Sequence, residues 1–206
     1  MNYSFSIATG KGDEYRIMFI DADISLLAKD VRDAILKKNL DISEIIIDRV
    51  SGGESTAQEV LHTITGRVAD LFADNVNLIL YYSCDDMNPI PSRNIKGANK
   101  NLSVQEYRSK LFSYMFDSYM ESHHVSGFLN TPIIIEGEGY KQFMHIISRS
   151  KHQSIVDLIK DDVLEGWGNR LRGNKKQYIR IAVNLVGIER FPPFSCFFRN
   201  VPFAHI

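Results

Sequence analysis

Two adjacent acidic residues, Asp85 and Asp86, directly follow the apolar stretch NLILYYSC. Groups at the carboxyl end of a central strand often bind ligands, and two carboxylates can hold Mg²⁺, which then orients a phosphate group. A complete site would also need a third acid or a base, for which Asp48, Glu136 and Glu138 are the candidates. The alternative is that both aspartates end the strand and bond to the backbone of the following turn, which is a common use of aspartate.

The segment EGEGYK, residues 136–141, places two carboxylates at alternate positions with a lysine after them. This pattern loosely resembles the acid-x-lysine element of metal-dependent nucleases. A nuclease needs the acid and the lysine on one strand, whereas the two glycines here favour a hairpin turn over residues 136–139. The turn is therefore the preferred interpretation. A Mg²⁺-dependent phosphodiesterase or nuclease remains an alternative, and outside that alternative no cofactor is expected.

A basic cluster lies between residues 170 and 180, flanked by Trp167 and Tyr178. Cations that contact phosphates, interleaved with aromatic rings that stack on bases, can hold a single nucleic-acid strand. The segment could equally be a solvated connector or contact an acidic partner. Its cations are Arg170, Arg172, Lys175, Lys176 and Arg180.

The last segment of the sequence, RFPPFSCFFRNVPFAHI, is rich in phenylalanine and proline. It is too apolar to remain in water and too interrupted by proline to form a regular element, so it must become buried. It either covers the sheet of its own chain or docks on a second chain, where clustered aromatic residues are typical anchors. The phenylalanines concerned are Phe191, Phe194, Phe197, Phe198 and Phe203.

The composition limits the class of protein. The sequence has 206 residues, of which 44% are hydrophobic and 24% charged, as in one globular domain with or without an appendage. A formal net charge of -1 gives no overall attraction to phosphate, so nucleic-acid binding would have to depend on a local patch. The only cysteines, Cys84 and Cys196, cannot form a disulfide framework or a cysteine metal site.

The sequence carries no recognisable targeting or membrane segment. Its first residues lack the basic start and the apolar core of about 7 to 15 residues that mark a signal peptide. No apolar run approaches the roughly 18 residues of a membrane span. A cytoplasmic protein without membrane contact is therefore expected.

Hydrophobic periodicity predicts the elements that must position these residues. Alternating apolar residues predict a first hairpin, and a second around EGEG. Helical spacing predicts four helices. The first has Asp23 or Ser25 available as its N-cap, and another begins at Ser103 with Glu106 in capping-box spacing. The apolar run at residues 77–84 predicts a central strand covered on both faces. The strands are expected at 3–7, 15–19, 45–47, 77–84, 132–135 and 140–147, and the helices at 27–35, 60–72, 107–119 and 155–163.

These elements indicate an α+β fold. We predict a mixed or mainly antiparallel sheet, in the order ββαβαββα, with helices packed on it. A C-terminal strand at 178–186 and the aromatic tail would follow. The predicted division is an α+β domain over residues 1–165 and an extension over residues 166–206, made of the basic connector, the strand and the Phe/Pro-rich tail.

Three stretches share a pattern with a known family. The opening YSFSIATGKGDEYRIMF combines Tyr-x-Phe, a threonine and a glycine with a second pattern, Tyr-x-hydrophobic-x-Phe. The stretch LILYYSCDD ends a strand in Cys-Asp. The stretch EYRSKLFSYMF is an aromatic helix with an arginine. Over residues 1–165 the chain thereby resembles an uncharacterised family of small bacterial proteins, described only as a domain of unknown function. Met115 and Phe116 replace that family's Trp-Phe pair. The resemblance implies the fold and a bacterial origin, and no chemistry.

The functional expectation that results is a binding protein rather than an enzyme. It is an intracellular bacterial partner-binding or accessory subunit that associates with a protein partner or with itself as a homo-oligomer. A defence or toxin-related assembly is one context for such a subunit. The alternatives are the Mg²⁺-dependent phosphodiesterase at Asp85 and Asp86, and a nucleic-acid-binding module that uses residues 170–180.

Overall fold

The computed structural model describes residues 2–10, 12, 14–51, 58–84, 102–137 and 140–171. Within them, the strands are β1 (Tyr3–Ala8), β2 (Glu14–Asp21), β3 (Asp41–Ser51), β4 (Leu78–Ser83), β5 (Phe128–Gly137) and β6 (Tyr140–Arg149). The helices are α1 (Lys29–Lys37), α2 (Gln58–Asp74), α3 (Val104–Ser122) and α4 (Gln153–Leu171), and short 3-10 turns cover Ile24–Leu26 and Ser150–His152.

The strands form one sheet with the order β1-β2-β3-β4-β6-β5. Neighbouring strands are antiparallel except β3 and β4, which are parallel and are joined through α2. The predicted class, α+β with a mixed and mainly antiparallel sheet, is confirmed. The elements follow the order ββαβαβαββα. This order contains the six strands and four helices that were predicted individually, whereas the predicted order ββαβαββα left out one βα unit.

The first hairpin is confirmed and has one buried face. Phe5 pairs with Ile17, and Tyr15, Ile17 and Phe19 are fully buried. In the turn, the Gly12 amide donates to the Thr9 carbonyl at 3.0 Å. Gly12 has φ of 83°, a left-handed conformation that glycine adopts without a Cβ clash.

Strand β4 lies in the middle of the sheet, as its continuous apolar run predicts. It hydrogen-bonds to β3 on one side and to β6 on the other, and every residue from Leu78 to Tyr82 is buried. Cys84, which follows it, is buried and packs in the hydrophobic core.

Helices cover both faces of the sheet because the strands are apolar on both sides. On one face, which we call the α2–α3 face, Val60, Ile64 and Phe72 of α2 and Tyr107, Leu111 and Phe112 of α3 pack on the sheet. On the other, the α1–α4 face, Val31 and Ile35 of α1 and Ile155, Val156 and Ile159 of α4 pack on the sheet. Alternate residues of β4 pack on opposite faces of the sheet. Leu78 and Leu80 lie on the α2–α3 face, and Ile79 and Tyr81 lie on the α1–α4 face.

The helix starts were predicted with mixed success. Ser103 caps α3 as predicted, since its Oγ accepts a hydrogen bond from the Glu106 amide at 3.1 Å. The prediction that Asp23 or Ser25 caps α1 is wrong. Asp23 instead caps the 3-10 turn, by accepting from the Ser25 amide. The residue before α1 is Ala28, whose amide donates to the Asp162 carboxylate of α4.

The predicted boundary at residue 166 falls inside α4, because this helix continues to Leu171. The predicted strand at 178–186 and the tail that follows it lie outside the described residues. No helix in the described ranges is long and apolar enough to cross a membrane.

Candidate functional site

The acidic residues of the predicted magnesium site are only partly described. Asp85, Asp86 and Glu138 lie outside the described residues. Glu136 is exposed on β5 and pairs with Lys141 of β6 at 2.7 Å, so it forms a cross-strand ion pair beside the hairpin turn. This position supports the hairpin interpretation of EGEGYK. In the described part of the chain, no three His, Cys, Asp or Glu side chains cluster as metal ligands would.

Asp48, the remaining candidate acid, lies on β3 and is buried. Its Oδ2 accepts a hydrogen bond from the Arg16 guanidinium at 3.0 Å across the β2–β3 pair. The guanidinium neutralises this carboxylate and satisfies its buried oxygen. Asp48 is therefore engaged in a structural ion pair of the sheet.

The basic cluster and the aromatic tail are largely beyond the described residues. Trp167 and Arg170 belong to the last turns of α4, whereas Arg172, Lys175, Lys176 and Arg180 are outside the described ranges. The same is true of Phe191, Phe194, Phe197, Phe198 and Phe203. Their expected roles in nucleic-acid or partner binding stay predictions.

An apolar cleft between α2 and α3 has the shape of a ligand site. It has a volume of about 280 Å³, close to the lower end of the range for small-molecule sites, roughly 300 to 1,000 Å³. One wall is formed by Ile64, Val68 and Phe72 of α2, at the i, i+4, i+8 spacing of one helix face. We call this cavity the α2–α3 cleft.

The opposite wall and the floor of the α2–α3 cleft are also apolar. Phe112, Met115 and Phe116 of α3 form the opposite wall, and Ile47 of β3 and Ile147 of β6 belong to the sheet beneath. These sheet residues are almost fully buried. An apolar group that enters the cleft would therefore contact side chains on three sides and would lose its contact with water.

Arg149, at the end of β6, is the one charged residue that lines the α2–α3 cleft in the described part of the chain. Its Nη2 donates a hydrogen bond to the Phe72 carbonyl. Its guanidinium carbon lies 4.9 Å from the centre of the Phe128 ring, within cation–π range. Phe128 in turn contacts Phe72 edge-on, with ring centres 5.1 Å apart.

The electrostatic balance around Arg149 is incomplete. Its Nε is buried and has no hydrogen-bond partner, and among the described residues no carboxylate forms an ion pair with it. A partly buried guanidinium normally has an anion close by, because desolvating an unpaired charge is costly. The cleft therefore combines an apolar body with one cation that has no counter-ion among the described residues.

A second polar group lies beneath α3. The Ser109 Oγ is 2.8 Å from His145 Nε2, and His145 Nδ1 is 3.0 Å from the Asn130 Oδ1. Serine, histidine and amide in this order match the arrangement of some hydrolases. However, His145 is 0% exposed and Ser109 9%, and neither lines the α2–α3 cleft.

We therefore interpret Ser109, His145 and Asn130 as a core network that holds α3 on β5 and β6. Burial lowers the pKa of His145 to about 4, so the imidazole is neutral near pH 7 and can accept from one neighbour while donating to the other. Its ring also contacts Phe112, at 4.9 Å between centres. Phe112 stacks in turn on Tyr82, at 4.6 Å, which links the network to a wall of the cleft.

A third buried polar pair lies on the α1–α4 face. The Tyr81 hydroxyl donates to Glu44 Oε2 at 3.0 Å, between the parallel strands β4 and β3. Burial raises the pKa of Glu44 to about 7, although the hydrogen bond from Tyr81 acts in the opposite direction. Burial also raises the pKa of Tyr81, and the neighbouring Glu44 carboxyl raises it further. Near neutral pH the carboxyl of Glu44 is thus partly protonated.

Comparison of the chain with protein-family models, with curated proteins and with solved structures found no match in any of the three. The resemblance to a family of unknown function thus stays a prediction.

Part of this site had a signal in the sequence. The helical spacing of Ile64, Val68 and Phe72 and the alternation of Phe143, His145 and Ile147 predict which residues face inward. A histidine at an inward position of a strand also signals a buried polar contact. The gap between α2 and α3, and the position of Arg149 beside it, depend on how two helices separated by about 30 residues of sequence pack together.

Proposed function

We propose that this protein acts by binding rather than by catalysis, and that the α2–α3 cleft is a site for a small apolar ligand. The observation that carries this proposal is the cleft itself, a cavity of about 280 Å³ whose walls are almost entirely apolar. At about 30 Å³ for each water-sized group in a liquid, such a cavity accommodates roughly nine methylene-sized groups. A medium-length alkyl chain or a single substituted ring is of that size.

The proposal keeps the accessory role expected from the sequence. A subunit that binds a small apolar molecule can report its presence to a partner chain, and the aromatic tail is the segment expected to contact such a partner. The catalytic alternative at Asp85 and Asp86 has no supporting group among the described residues, since Asp48 pairs with Arg16 and Glu136 with Lys141.

The test uses methionine methyl groups as reporters in a titration with 1-octanol followed by NMR. Met115 and Met120 line the α2–α3 cleft, whereas Met144 packs in the other core. We expect saturable shifts of the Met115 and Met120 methyl signals and no comparable shift of Met144. Equal shifts at all methionines, or none at Met115 and Met120, would refute the proposed site.

A matched pair of variants checks that the shifts come from occupancy of the cleft. Ala69 lines the cleft on α2, so Ala69→Phe should fill it and weaken octanol binding at least tenfold. Thr63 is exposed on the same helix, so Thr63→Phe adds the same ring outside the cleft and should leave binding unchanged. Thermal unfolding of both variants verifies that each is folded.

A further inference from the structure

One of the residues that line the α2–α3 cleft, Arg149, is a cation. We propose that the ligand of this cleft is an amphipathic monocarboxylate, whose alkyl or aryl body fills the cleft and whose carboxylate pairs with Arg149. This inference depends on the proposed function, since it specifies the ligand class of the same cleft. It adds a charged head group that the apolar walls alone would not require.

The donors of Arg149 are arranged for an anion. A guanidinium carries five N–H groups in one plane, and here Nη2 is occupied by the Phe72 carbonyl while Nε is buried without a partner. A carboxylate can accept from two N–H groups of one guanidinium side by side, which makes the pair short and directional. One such ligand would accept from the N–H groups of the guanidinium that the Phe72 carbonyl leaves free, and it would neutralise the charge.

The ring of Phe128 restricts the direction from which a carboxylate can approach. The guanidinium lies 4.9 Å from that ring centre, so the ring covers one side of the cation and leaves the in-plane edge for hydrogen bonding. Arg149 itself lines the cleft. The carboxylate would therefore lie at the Arg149 end, with the apolar body extending along Ile147 and the walls from α2 and α3.

The charge of the cleft favours a carboxylate over a phosphate. Arg149 supplies one positive charge, and the other described residues that line the cleft supply none. One carboxylate balances this charge, whereas a dianionic phosphate monoester would leave a net negative charge among apolar side chains, at a large desolvation cost. The cation thus matches a monoanion.

The first experiment compares three ligands of equal chain length on the full-length protein by calorimetry at pH 7.5. We expect octanoate to bind at least tenfold more tightly than 1-octanol, because hydrogen bonds to charged groups contribute about 1.5 to 3 kcal/mol, and 1.4 kcal/mol corresponds to a factor of ten. Octyl phosphate should bind more weakly than octanoate. A preference for octyl phosphate, or octanoate no better than octanol, would overturn the inference without involving any variant.

Variants then assign the preference to Arg149. Arg149→Met should lower the affinity for octanoate about tenfold and change that for octanol less than twofold. Arg67→Met is the matched control, because Arg67 is an exposed cation of α2 that pairs with Asp70 and does not line the cleft. If Arg149→Met is poorly folded, Arg149→Lys keeps the charge but not the paired donors, and should reduce the octanoate preference partially.

The outcomes separate the inference from the proposed function. Binding of octanol and octanoate with equal affinity, in wild type and in Arg149→Met, would leave an apolar site but refute the carboxylate. No binding of either ligand would refute the cleft as a ligand site. An octanoate preference that Arg67→Met abolishes as strongly as Arg149→Met would show general charge attraction and would also refute the inference.

Discussion

Two buried ionisable side chains, His145 and Glu44, give the stability of the protein opposite dependences on pH. The folded-state pKa of His145 is about 4 against 6.5 for an ordinary histidine. The unfolded chain therefore takes up the proton first, and the free energy of unfolding falls as the pH drops from 6.5 towards 4. The pKa of Glu44 is about 7 against 4.5, so the free energy of unfolding falls as the pH rises from 4.5 towards 7.

Between pH 4.5 and 6.5 these two contributions have opposite slopes and largely cancel. We expect Glu44→Gln to remove one of them. Relative to the wild type, the free energy of unfolding of the variant should then rise with pH in this window, by up to about 1.4 kcal/mol per pH unit. Urea unfolding of both proteins at a series of pH values measures the difference.

Glu121→Gln is the control for the Glu44 experiment, because Glu121 is exposed on α3. It should leave the slope of the free energy of unfolding against pH unchanged. If Glu44→Gln behaves like this control, the buried Glu44 carboxyl does not hold its proton in the way we infer.

The hydrogen bond between Ser109 and His145 gives a second prediction at the scale of the residue. Ser109→Ala leaves a buried imidazole nitrogen without its partner, and the loss should cost about 1 to 3 kcal/mol of unfolding free energy. Ser113→Ala changes the same residue type in the same helix. Its hydroxyl is 3.3 Å from Asn130 Nδ2 and only part-buried, so its loss should cost less. Denaturant unfolding that ranks Ser113→Ala as the more damaging change would contradict the core role of the network.

At the scale of the element, α3 contributes to both features of the site, because it forms a wall of the α2–α3 cleft and carries Ser109. Its first turn is capped by the side chain of Ser103, with Glu106 in the same turn. An acidic residue in the first turn of a helix also interacts favourably with the helix dipole. The orientation of this wall thus depends on its capped start as well as on its apolar contacts.

We expect Ser103→Ala to lower the free energy of unfolding by about 1 kcal/mol, the usual cost of losing an N-cap side chain. Ser122→Ala, at the exposed end of the same helix, should change it by less than about 0.5 kcal/mol. Chemical denaturation measures both values. Equal effects of the two variants would mean that the Ser103 cap contributes nothing beyond a surface serine.

The sequence predicted some elements more completely than others. Strand β4 was predicted because its residues are almost all apolar, and α2 was predicted because its apolar residues recur at helical spacing. Strand β3 was predicted only at residues 45–47, yet it extends from Asp41 to Ser51. Ser43, Glu44 and Asp48 are polar residues at buried positions, and they interrupt the apolar pattern while the backbone ladders to β2 and β4 continue.

At the scale of the whole molecule, the remaining question is what the aromatic tail contacts. We expect the full-length protein to be an oligomer and a version ending at residue 188 to be a monomer, because the phenylalanines of the tail are typical interface anchors. Light scattering of both proteins, with absorbance at two wavelengths, measures the molar mass and any bound nucleic acid. A monomer in both cases would contradict the tail as an interface, and bound nucleic acid would point to residues 170–180.

A matched control separates the aromatic side chains from the length of the tail. A full-length variant with serine in place of Phe191, Phe194, Phe197, Phe198 and Phe203 keeps every residue of backbone. It should have the mass of the truncated protein if the rings carry the contact. Retention of the wild-type mass would assign assembly to another part of the chain.

The sequence alone determined the class of the fold, because the period of apolar residues depends only on whether a segment is a helix or a strand. It also determined the cap of α3, since a serine and the amide three residues later are local partners. Tertiary structure decided the rest. Ser109 contacts His145, which lies 36 positions further along the chain. Arg16 contacts Asp48, which lies 32 positions further along. No local pattern in the sequence encodes such a pairing.

For the α2–α3 cleft, too, the sequence determined one part and the tertiary structure decided the other. The sequence determined that Ile64, Val68 and Phe72 share one face of a helix. Whether that face packs tightly or leaves a cavity depends on the side chains it meets from α3 and on where Arg149 ends β6. A cavity is a property of how separate elements fit together, so it exists only once the chain has folded.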